Sequence, residues 1–339
     1  MGKGTHLLIE LTNTFGGKSK FKNVKYLEHN KEFDIGDITV HPFLMDHSAC
    51  DAYAFLLKNN GKSLLYTGDF RLHGRKSKIF DFFKYKVPKN INYLLMEGSA
   101  IERSKKPFKT EEELEKEFIE TFKQNKGINL VFVSSQNIDR LVSIYNACKK
   151  TGRIFLIDFY TANILKTLNK EIRKSIPFPC KKSFPEIKVF YPKWLTDKMD
   201  KMKKKIETIF PFTPFKICKH DLDSLTEKLV MLVRPTTKYD LEKYIHNYTD
   251  SCFIYSMWDG YKNKPGSIKD FLEFITGKGI PIIDIHTSGH ADLSGLRKMA
   301  EAVQPKNLVP IHTFKGDNYS EYFPGFNVKR VYDGVIVEM

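Results

Sequence analysis

Several patterns that would define a protein class are absent from these 339 residues. The chain has no CxxC pair, so the sequence indicates neither a disulfide framework nor a zinc site built from thiolates. Its five cysteines are scattered and odd in number: Cys50, Cys148, Cys180, Cys218 and Cys252. Free cysteines are typical of a reducing cytosol, which predicts a cytoplasmic protein. No apolar run approaches the length of a transmembrane helix and the first residues lack a signal-peptide core, so no membrane partner is expected.

Acidic residues are few relative to basic ones. The chain carries 55 Lys and Arg against 40 Asp and Glu, a formal net charge of +15. A positive field of this size favours a polyanionic partner such as RNA. Lysine is also abundant throughout, so general composition explains the charge equally well. Hydrophobic content of 41% and charged content of 28% are ordinary for a globular protein of one or two domains. The sequence does not decide the oligomeric state, and a homodimer is one possibility.

Two apolar runs near the N-terminus are separated by a strong turn signal. They are Tyr53–Leu57 and Ser63–Tyr66, and the turn between them is Asn59-Asn60-Gly61. Asn-Gly between apolar runs predicts a β-hairpin.

Candidate metal donors stand at the ends of these strands. His47 follows a strand-like run over 38–45, and Asp69 follows the second arm of the hairpin. A neutral imidazole nitrogen and a carboxylate oxygen both suit zinc. The alternative is that His47 caps a turn and Asp69 begins one.

Three further apolar runs are followed by side chains that can bind a metal or transfer a proton. Glu97 follows 93–96, His290 follows the run 281–285 by a short loop, and His312 follows 308–311. Each could instead be an ordinary polar residue at the end of a strand.

The middle of the chain has a different periodicity. A capping-box pattern at Thr110 and Glu113 precedes Leu114, Phe118 and Phe122, which share one helical face. A buried strand over 130–133, a helix over 137–149 and a strand over 154–157 then follow. This β-α-β order predicts parallel strands joined by a right-handed crossover.

Four further segments have two interpretations each. Ser134 and Ser135 end a strand ahead of a helix, where they could bind an anion or cap the helix. The basic loop 71–78 and a basic helix predicted over 197–210 could face RNA or simply be solvated. Trp258 and Tyr261 could stack on bases, although packing is favoured. Residues 328–332 and 335–337 flank Asp333-Gly334, which predicts a final hairpin.

Five motifs together carry a family resemblance. DHSACDAYAF (46–55) and YTGDFR (66–71) resemble the third and fourth motifs of the metallo-β-lactamase fold. MEGSA (96–100), HTSGHAD (286–292) and VPIHT (309–313) resemble, in the same order, the three motifs of its β-CASP branch. That branch includes RNase J-type and RNA 3′-end cleavage nucleases. The resemblance, which covers nearly the whole chain, implies an α/β fold: a metallo-β-lactamase αβ/βα sandwich with an inserted parallel α/β domain, the β-CASP domain.

The resemblance also implies roles for individual residues. His47 would ligate one zinc ion, Asp69 would bridge two, and His312 would ligate the second. His290 would contact the scissile phosphate and protonate the leaving oxygen. Glu97 would orient a histidine through its second ring nitrogen. His286 matches no ligand role and is interpreted as structural.

The chain departs from the family at one motif. None of its ten histidines forms an HxH pair, so the family's HxHxDH motif is absent. The start of the chain, MGKGTHLLIEL, resembles the middle of the family's first domain, which predicts an N-terminal truncation. His47, Asp69 and His312 cannot fill two zinc sites that need roughly four ligands each. We therefore expect zinc binding to be incomplete and activity to be impaired.

The sequence thus predicts a zinc-dependent hydrolase, a ribonuclease that cleaves RNA phosphodiester bonds. Residues 1–115 and 286–339 would form the metallo-β-lactamase-fold domain without its first strands, and 116–285 the β-CASP domain. Two alternatives stay open: a non-catalytic RNA-binding or regulatory protein, and a hydrolase of small phosphodiesters or esters.

Overall fold

The computed structural model of the chain describes residues 1–19, 21–103 and 106–337. It divides into two compact units. The first comprises Met1–Thr5, Val24–Thr110 and Ser288–Met339, and the second His6–Asn23 and Glu111–Thr287. The domain prediction placed all of 1–115 in one domain, whereas 6–23 groups with the second unit. Packing explains this difference, because Phe15 contacts Phe159 and Tyr160 at ring-centroid distances of 6.0 and 4.9 Å.

The strands of the described residues form two sheets. In chain order they are β1 (Phe33–Ile35), β2 (Ile38–Met45), β3 (Ala52–Asn59), β4 (Lys62–Tyr66), β5 (Tyr93–Glu97), β6 (Asn129–Phe132), β7 (Ile154–Asp158), β8 (Ile187–Phe190), β9 (Leu229–Leu232), β10 (Cys252–Tyr255), β11 (Ile282–Asp284) and β12 (Asn307–Ile311). The first sheet has the order β1-β2-β3-β4-β5-β12, and the second has the order β11-β10-β6-β9-β7-β8. The chain is therefore a mixed α/β protein with a separate sheet in each unit.

The helices flank these sheets. In chain order they are α1 (Lys3–Gly16), α2 (Ile79–Lys86), α3 (Glu111–Gln124), α4 (Ile138–Thr151), α5 (Phe159–Glu171), α6 (Lys193–Lys201), α7 (Lys205–Thr208), α8 (Lys238–Tyr244), α9 (Ser267–Gly277), α10 (Leu293–Val303) and α11 (Tyr319–Tyr322). Within the described part of the chain, none of them has the length and apolar character needed to cross a membrane. All five cysteines are free.

The predicted hairpin is present in the first unit. β3 and β4 pair antiparallel, with Asn59 opposite Lys62. The two residues of the turn, Asn60 and Gly61, have φ angles of 46° and 73°. Asn and Gly tolerate this left-handed conformation, and its twist matches that of the flanking strands. The prediction from the Asn-Gly signal is confirmed.

One face of the first sheet carries the core of the first unit. Leu56, Leu65 and Met96 from three strands belong to one buried cluster with Phe83 of α2 and Met299 of α10. Three strands of this sheet, β4, β5 and β12, run parallel to one another. Their carboxyl ends therefore share one edge of the sheet, and this edge positions the candidate site.

The second unit is a parallel α/β layer. Every strand pair in its sheet is parallel, and α4 joins β6 to β7 as the sequence predicted. β9 lies between β6 and β7, so the crossover spans two strand positions. The buried cluster of this unit combines strand residues such as Leu130 and Met231 with Phe271 and Ile275 of α9.

Two local predictions are wrong. The helix predicted over 197–210 is broken between α6 and α7, where Lys203 has a φ of 55°, a left-handed conformation that ends a helix. The hairpin predicted around Asp333-Gly334 is also absent from the described residues. Val328 makes only an isolated bridge to Leu308, while Ile336 is 91% exposed, and a two-stranded ribbon with no surface to pack against is marginal in water.

The serines after β6 have different partners from those predicted. Asn137, rather than either serine, caps α4 by accepting a hydrogen bond from the Arg140 backbone N–H at 3.2 Å. Ser134 accepts from the Gln136 backbone N–H at 3.2 Å, and Ser135 lies 2.5 Å from the Thr161 hydroxyl. Both serines therefore serve local structure.

Candidate metal centre

Three parallel strands bring candidate donors to one edge of the first sheet. Asp69 follows β4, Glu97 is the last residue of β5, and His312 follows β12. His290 stands in the loop before α10. One donor atom from each of these four residues lies within 4.8 Å of the others, the only such group of three or more found among the described residues. The structure therefore brings together four side chains that are far apart in sequence.

His290 is held by a buried carboxylate. Its Nδ1 atom lies 2.9 Å from Oε2 of Glu97, which is fully buried. Oε1 of the same carboxylate accepts a hydrogen bond from the Phe70 backbone N–H at 2.8 Å. Burial alone would lower the pKa of His290, but the hydrogen bond and charge of Glu97, with the charge of Asp69, raise that pKa above its usual value. This contact fixes the ring and leaves Nε2 as its outward nitrogen.

His312 is held by different neighbours. Its Nδ1 atom lies 2.8 Å from Oδ1 of Asp69 and 3.0 Å from the Ser99 hydroxyl. The residue has a φ of 47°, which a non-glycine residue rarely adopts. Such strained backbone is often found where a side chain must be aimed at a functional site. Its ring is more than half exposed, so a ligand could reach it.

His47 lies next to the group of four but is not part of it. Its ring packs edge-on against that of His290, with centroids 5.4 Å apart. Its Nδ1 accepts a hydrogen bond from the Ala49 backbone N–H at 2.9 Å, while Nε2 is buried without a hydrogen-bond partner. Burial and the charge of His290 lower the pKa of His47 to about 4. Because Nδ1 accepts this hydrogen bond, the neutral ring carries its proton on Nε2, and Nε2 can ligate a metal only after that proton has moved. The ligand role of His47 stays a prediction.

His286, interpreted from sequence as structural, lies in the second unit. Its Nδ1 atom is buried and has no hydrogen-bond partner. Burial and the charge of Arg140 lower the pKa of His286 to about 4.

Two basic residues in the loop after Asp69 make internal contacts that the sequence did not predict. Arg71, which the sequence placed in a basic surface loop, is fully buried beside Asp46. Lys76 donates to the backbone carbonyls of His47, Ala49 and Cys50 at 3.1–3.2 Å. The loop 71–78 is therefore partly internal. The one signal in the sequence was that Asp46 and Arg71 belong to the same two motifs as His47 and Asp69.

The donor chemistry fits zinc. Two imidazoles and two carboxylates form a nitrogen and oxygen set of the kind that zinc binds in catalytic sites. The buried Nε2 of His47 adds an unsatisfied nitrogen nearby. Asp69, His290 and His312 are all partly accessible, so the fold keeps the donor atoms close without sealing them from solvent.

Comparison with known families agrees with this chemistry. Residues 280–317, which include His290 and His312, match the family described as "Zn-dependent metallo-hydrolase RNA specificity domain". The match links this segment to zinc-dependent metallo-hydrolases, and zinc is the metal that such a family implies.

Solved structures share the fold of the chain. One of them is the "Crystal Structure of a Protein of Unknown Function from Enterococcus faecalis V583", with a TM-score of 0.72 and 21% sequence identity. The similarity covers 98% of this chain and 73% of that one, and at this identity it speaks for the fold alone. No curated protein matches the chain.

Proposed function

We propose that the chain is a zinc-dependent metallo-hydrolase that cleaves phosphodiester bonds of RNA. The observation that carries the proposal is the convergence of Asp69, Glu97, His290 and His312, with one donor atom each within 4.8 Å. Phosphodiester hydrolysis needs charge on the phosphate to be neutralised and a proton to reach the leaving oxygen. The group of four can supply both needs.

The proposed ligands are Asp69 and His312, with His47 nearby. Zinc held there would act as a Lewis acid toward a phosphoryl oxygen. Nδ1 of His312 lies 2.8 Å from Oδ1 of Asp69, so the two donor side chains are already adjacent. A carboxylate and an imidazole so placed need little rearrangement to hold a cation between them.

His290 is the proposed proton donor to the leaving oxygen. Glu97 accepts the hydrogen bond from Nδ1 at 2.9 Å, which favours the charged form of the ring and keeps Nε2 pointed away from the carboxylate. Glu97 itself is fully buried, so it is placed to orient His290 rather than to touch the substrate. This arrangement is that of an oriented general acid.

RNA is the proposed substrate because two observations agree. The net charge of +15 favours a polyanion, and the family matched over 280–317 is described by an RNA specificity domain. The free cysteines support a cytoplasmic location, where such a substrate is found.

The proposal includes a weak metal centre. The 339 residues contain no HxHxDH motif, and the proposed ligands Asp69 and His312, with His47 nearby, are fewer than the four that a zinc ion usually takes. We therefore expect slow cleavage and incomplete zinc occupancy. The same observation favours the alternative of a non-catalytic RNA-binding protein, which the experiment below separates.

The test is cleavage of an end-labelled single-stranded RNA oligomer, with added zinc and with a chelator. We expect zinc-dependent cleavage that Asp69→Asn abolishes. Asp81→Asn is the matched control, because Asp81 is an exposed carboxylate at the start of α2. Cleavage that survives Asp69→Asn would contradict the proposal. RNA binding without cleavage at any zinc concentration would favour the non-catalytic alternative, and turnover of small phosphodiesters alone would favour the other.

A further inference from the structure

The loop that follows β10 exposes two large aromatic side chains. Trp258 and Tyr261 are each 39% exposed, although the sequence favoured packing as their role. Two neighbouring aromatic rings that are partly exposed and fixed in position offer a surface on which a ligand can pack.

The two rings and one lysine form a compact group. The ring centroids of Trp258 and Tyr261 are 5.2 Å apart with an interplanar angle of 85°. The ammonium group of Lys264 lies 5.5 Å from the centre of the Trp258 ring and 5.8 Å from that of Tyr261. Lys264 makes no ion pair with another described residue, so its charge remains available to a ligand.

The backbone around this group is closely fitted. A Cβ atom on Gly260 would overlap carbon atoms of the Trp258 ring, so only glycine lets the indole lie against the chain there. The Trp258 carbonyl accepts hydrogen bonds from the Tyr255 hydroxyl and the Tyr261 backbone N–H, both at 3.1 Å. The rings are therefore held in place rather than loosely exposed.

A second lysine anchors the same loop to the sheet. The ammonium group of Lys262 pairs with Asp259 at 3.0 Å and with Asp284 at 2.5 Å, and it lies 4.6 Å from the centre of the Tyr255 ring. Asp284 belongs to β11, the neighbour of β10. Lys262 is thus neutralised and structural, whereas Lys264 faces the exposed rings.

The position of the group in the second unit suits a ligand. It follows the carboxyl end of β10, and β10 runs parallel to β6 and β11. In open parallel sheets, ligands bind beyond the carboxyl ends of the strands.

We propose that Trp258, Tyr261 and Lys264 form a stacking platform for the bases of single-stranded RNA. The inference rests on the proposed function, because it takes RNA as the ligand. An exposed ring can stack on the face of any base, and a neighbouring ammonium group can pair with the phosphate that links one base to the next. The platform binds without strong sequence preference, since every base has a face on which to stack.

Intrinsic fluorescence tests the proposal directly. The protein has two tryptophans, so Trp194→Phe leaves Trp258 as the only one. With a chelator present to prevent cleavage, oligouridylate should quench Trp258 fluorescence, and an oligomer with the same ribose-phosphate backbone but no bases should not. Equal quenching by both oligomers, or by neither, would overturn the proposal.

Substitutions provide a second measurement. Trp258→Leu and Tyr261→Leu should each weaken binding of the oligonucleotide by roughly 5- to 100-fold, the usual loss when one stacking ring is removed. Trp194→Leu is the matched control, because Trp194 is 53% exposed with Lys198 at 5.3 Å, whereas no second aromatic ring of the described residues lies beside it. The control should bind normally. Equal losses for Trp194→Leu and Trp258→Leu would contradict the platform.

The outcomes for platform and function are separable. RNA cleavage that depends on Asp69, with no effect of RNA on Trp258, would reject the platform and leave the proposed function intact. Base-dependent quenching without cleavage would support the platform in a protein that only binds RNA. A variant at position 258 that fails to fold leaves the Trp194→Phe fluorescence measurement as the deciding one.

Discussion

The guanidinium group of Arg71 and the carboxylate of Asp46 form a buried ion pair in the first unit, with Nε 3.5 Å from Oδ1. Both side chains are almost completely excluded from solvent. Arg71 also donates to the backbone carbonyl of Ser288 at 3.2 Å. One side chain therefore connects the three loops that carry His47, Asp69 and His290.

Loss of this arginine should destabilise the first unit strongly. Arg71→Met leaves the Asp46 carboxylate buried without its counter-ion, which typically costs about 3–5 kcal/mol. Denaturant unfolding followed by circular dichroism measures the change. Asp46→Leu combined with Arg71→Met should recover most of the loss, since neither charge then remains. If the single variant unfolds like the wild type, the pair does not hold the loops.

Glu97 should control the orientation and the charge of the His290 ring. Glu97→Gln keeps the shape but removes the charge that orients the ring, and loss of such a partner typically lowers activity by about 10- to 100-fold. The measurement is the rate of RNA cleavage at saturating zinc. Glu102→Gln is the matched control, because Glu102 is exposed and pairs only with Lys315 at 2.8 Å among the described contacts. An equal effect of both substitutions would argue against the positioning role.

Stability should fall with acid in the range set by His286. Its pKa is lowered from 6.5 to about 4, mainly by burial, so the folded state keeps the ring neutral. Below pH 6.5 the unfolded state binds a proton that the folded state does not, so the free energy of unfolding decreases as the pH falls towards 4. The full loss is about 3 kcal/mol for this group. His286→Asn should reduce the slope in this range and leave the part that is due to His47, whose pKa is also lowered to about 4. An unchanged slope would contradict the assignment.

Binding of RNA should weaken as salt rises. If the basic surface neutralises about three phosphates, counterion release lowers affinity about 20-fold between roughly 50 and 200 mM salt. Fluorescence anisotropy of a labelled oligomer measures this in the presence of a chelator. Affinity independent of salt would show that the net charge of +15 reflects composition rather than a binding surface.

Local signals predicted the parts of the fold that depend on neighbouring residues. The pair Asn60-Gly61 predicted the turn between β3 and β4. The apolar runs before Asp69, Glu97 and His312 are parallel strands, and their carboxyl ends lie at the same edge of the sheet. Because parallel strands end together, the convergence of these three side chains follows from the strand pattern once their pairing is known.

Contacts between loops that are distant in sequence could not be predicted from the sequence. The pairing of Asp46 with Arg71 follows no periodicity in the sequence, and the loop that begins at Arg71 was interpreted as facing RNA or as solvated. The hairpin expected around Asp333-Gly334 failed for a related reason, since an alternating pattern does not reveal whether a surface exists to bury it. The left-handed φ of His312 likewise depends on the surroundings that hold it.

The central claim is that Asp69 and His312, within the group of four, hold a metal ion. Crystals soaked in zinc and measured on both sides of the zinc absorption edge test it without relying on activity. We predict an anomalous peak at coordination distance, about 2.0–2.2 Å, from a carboxylate oxygen of Asp69 and a ring nitrogen of His312. An absent peak at this position, with zinc bound only elsewhere on the protein, would contradict the account.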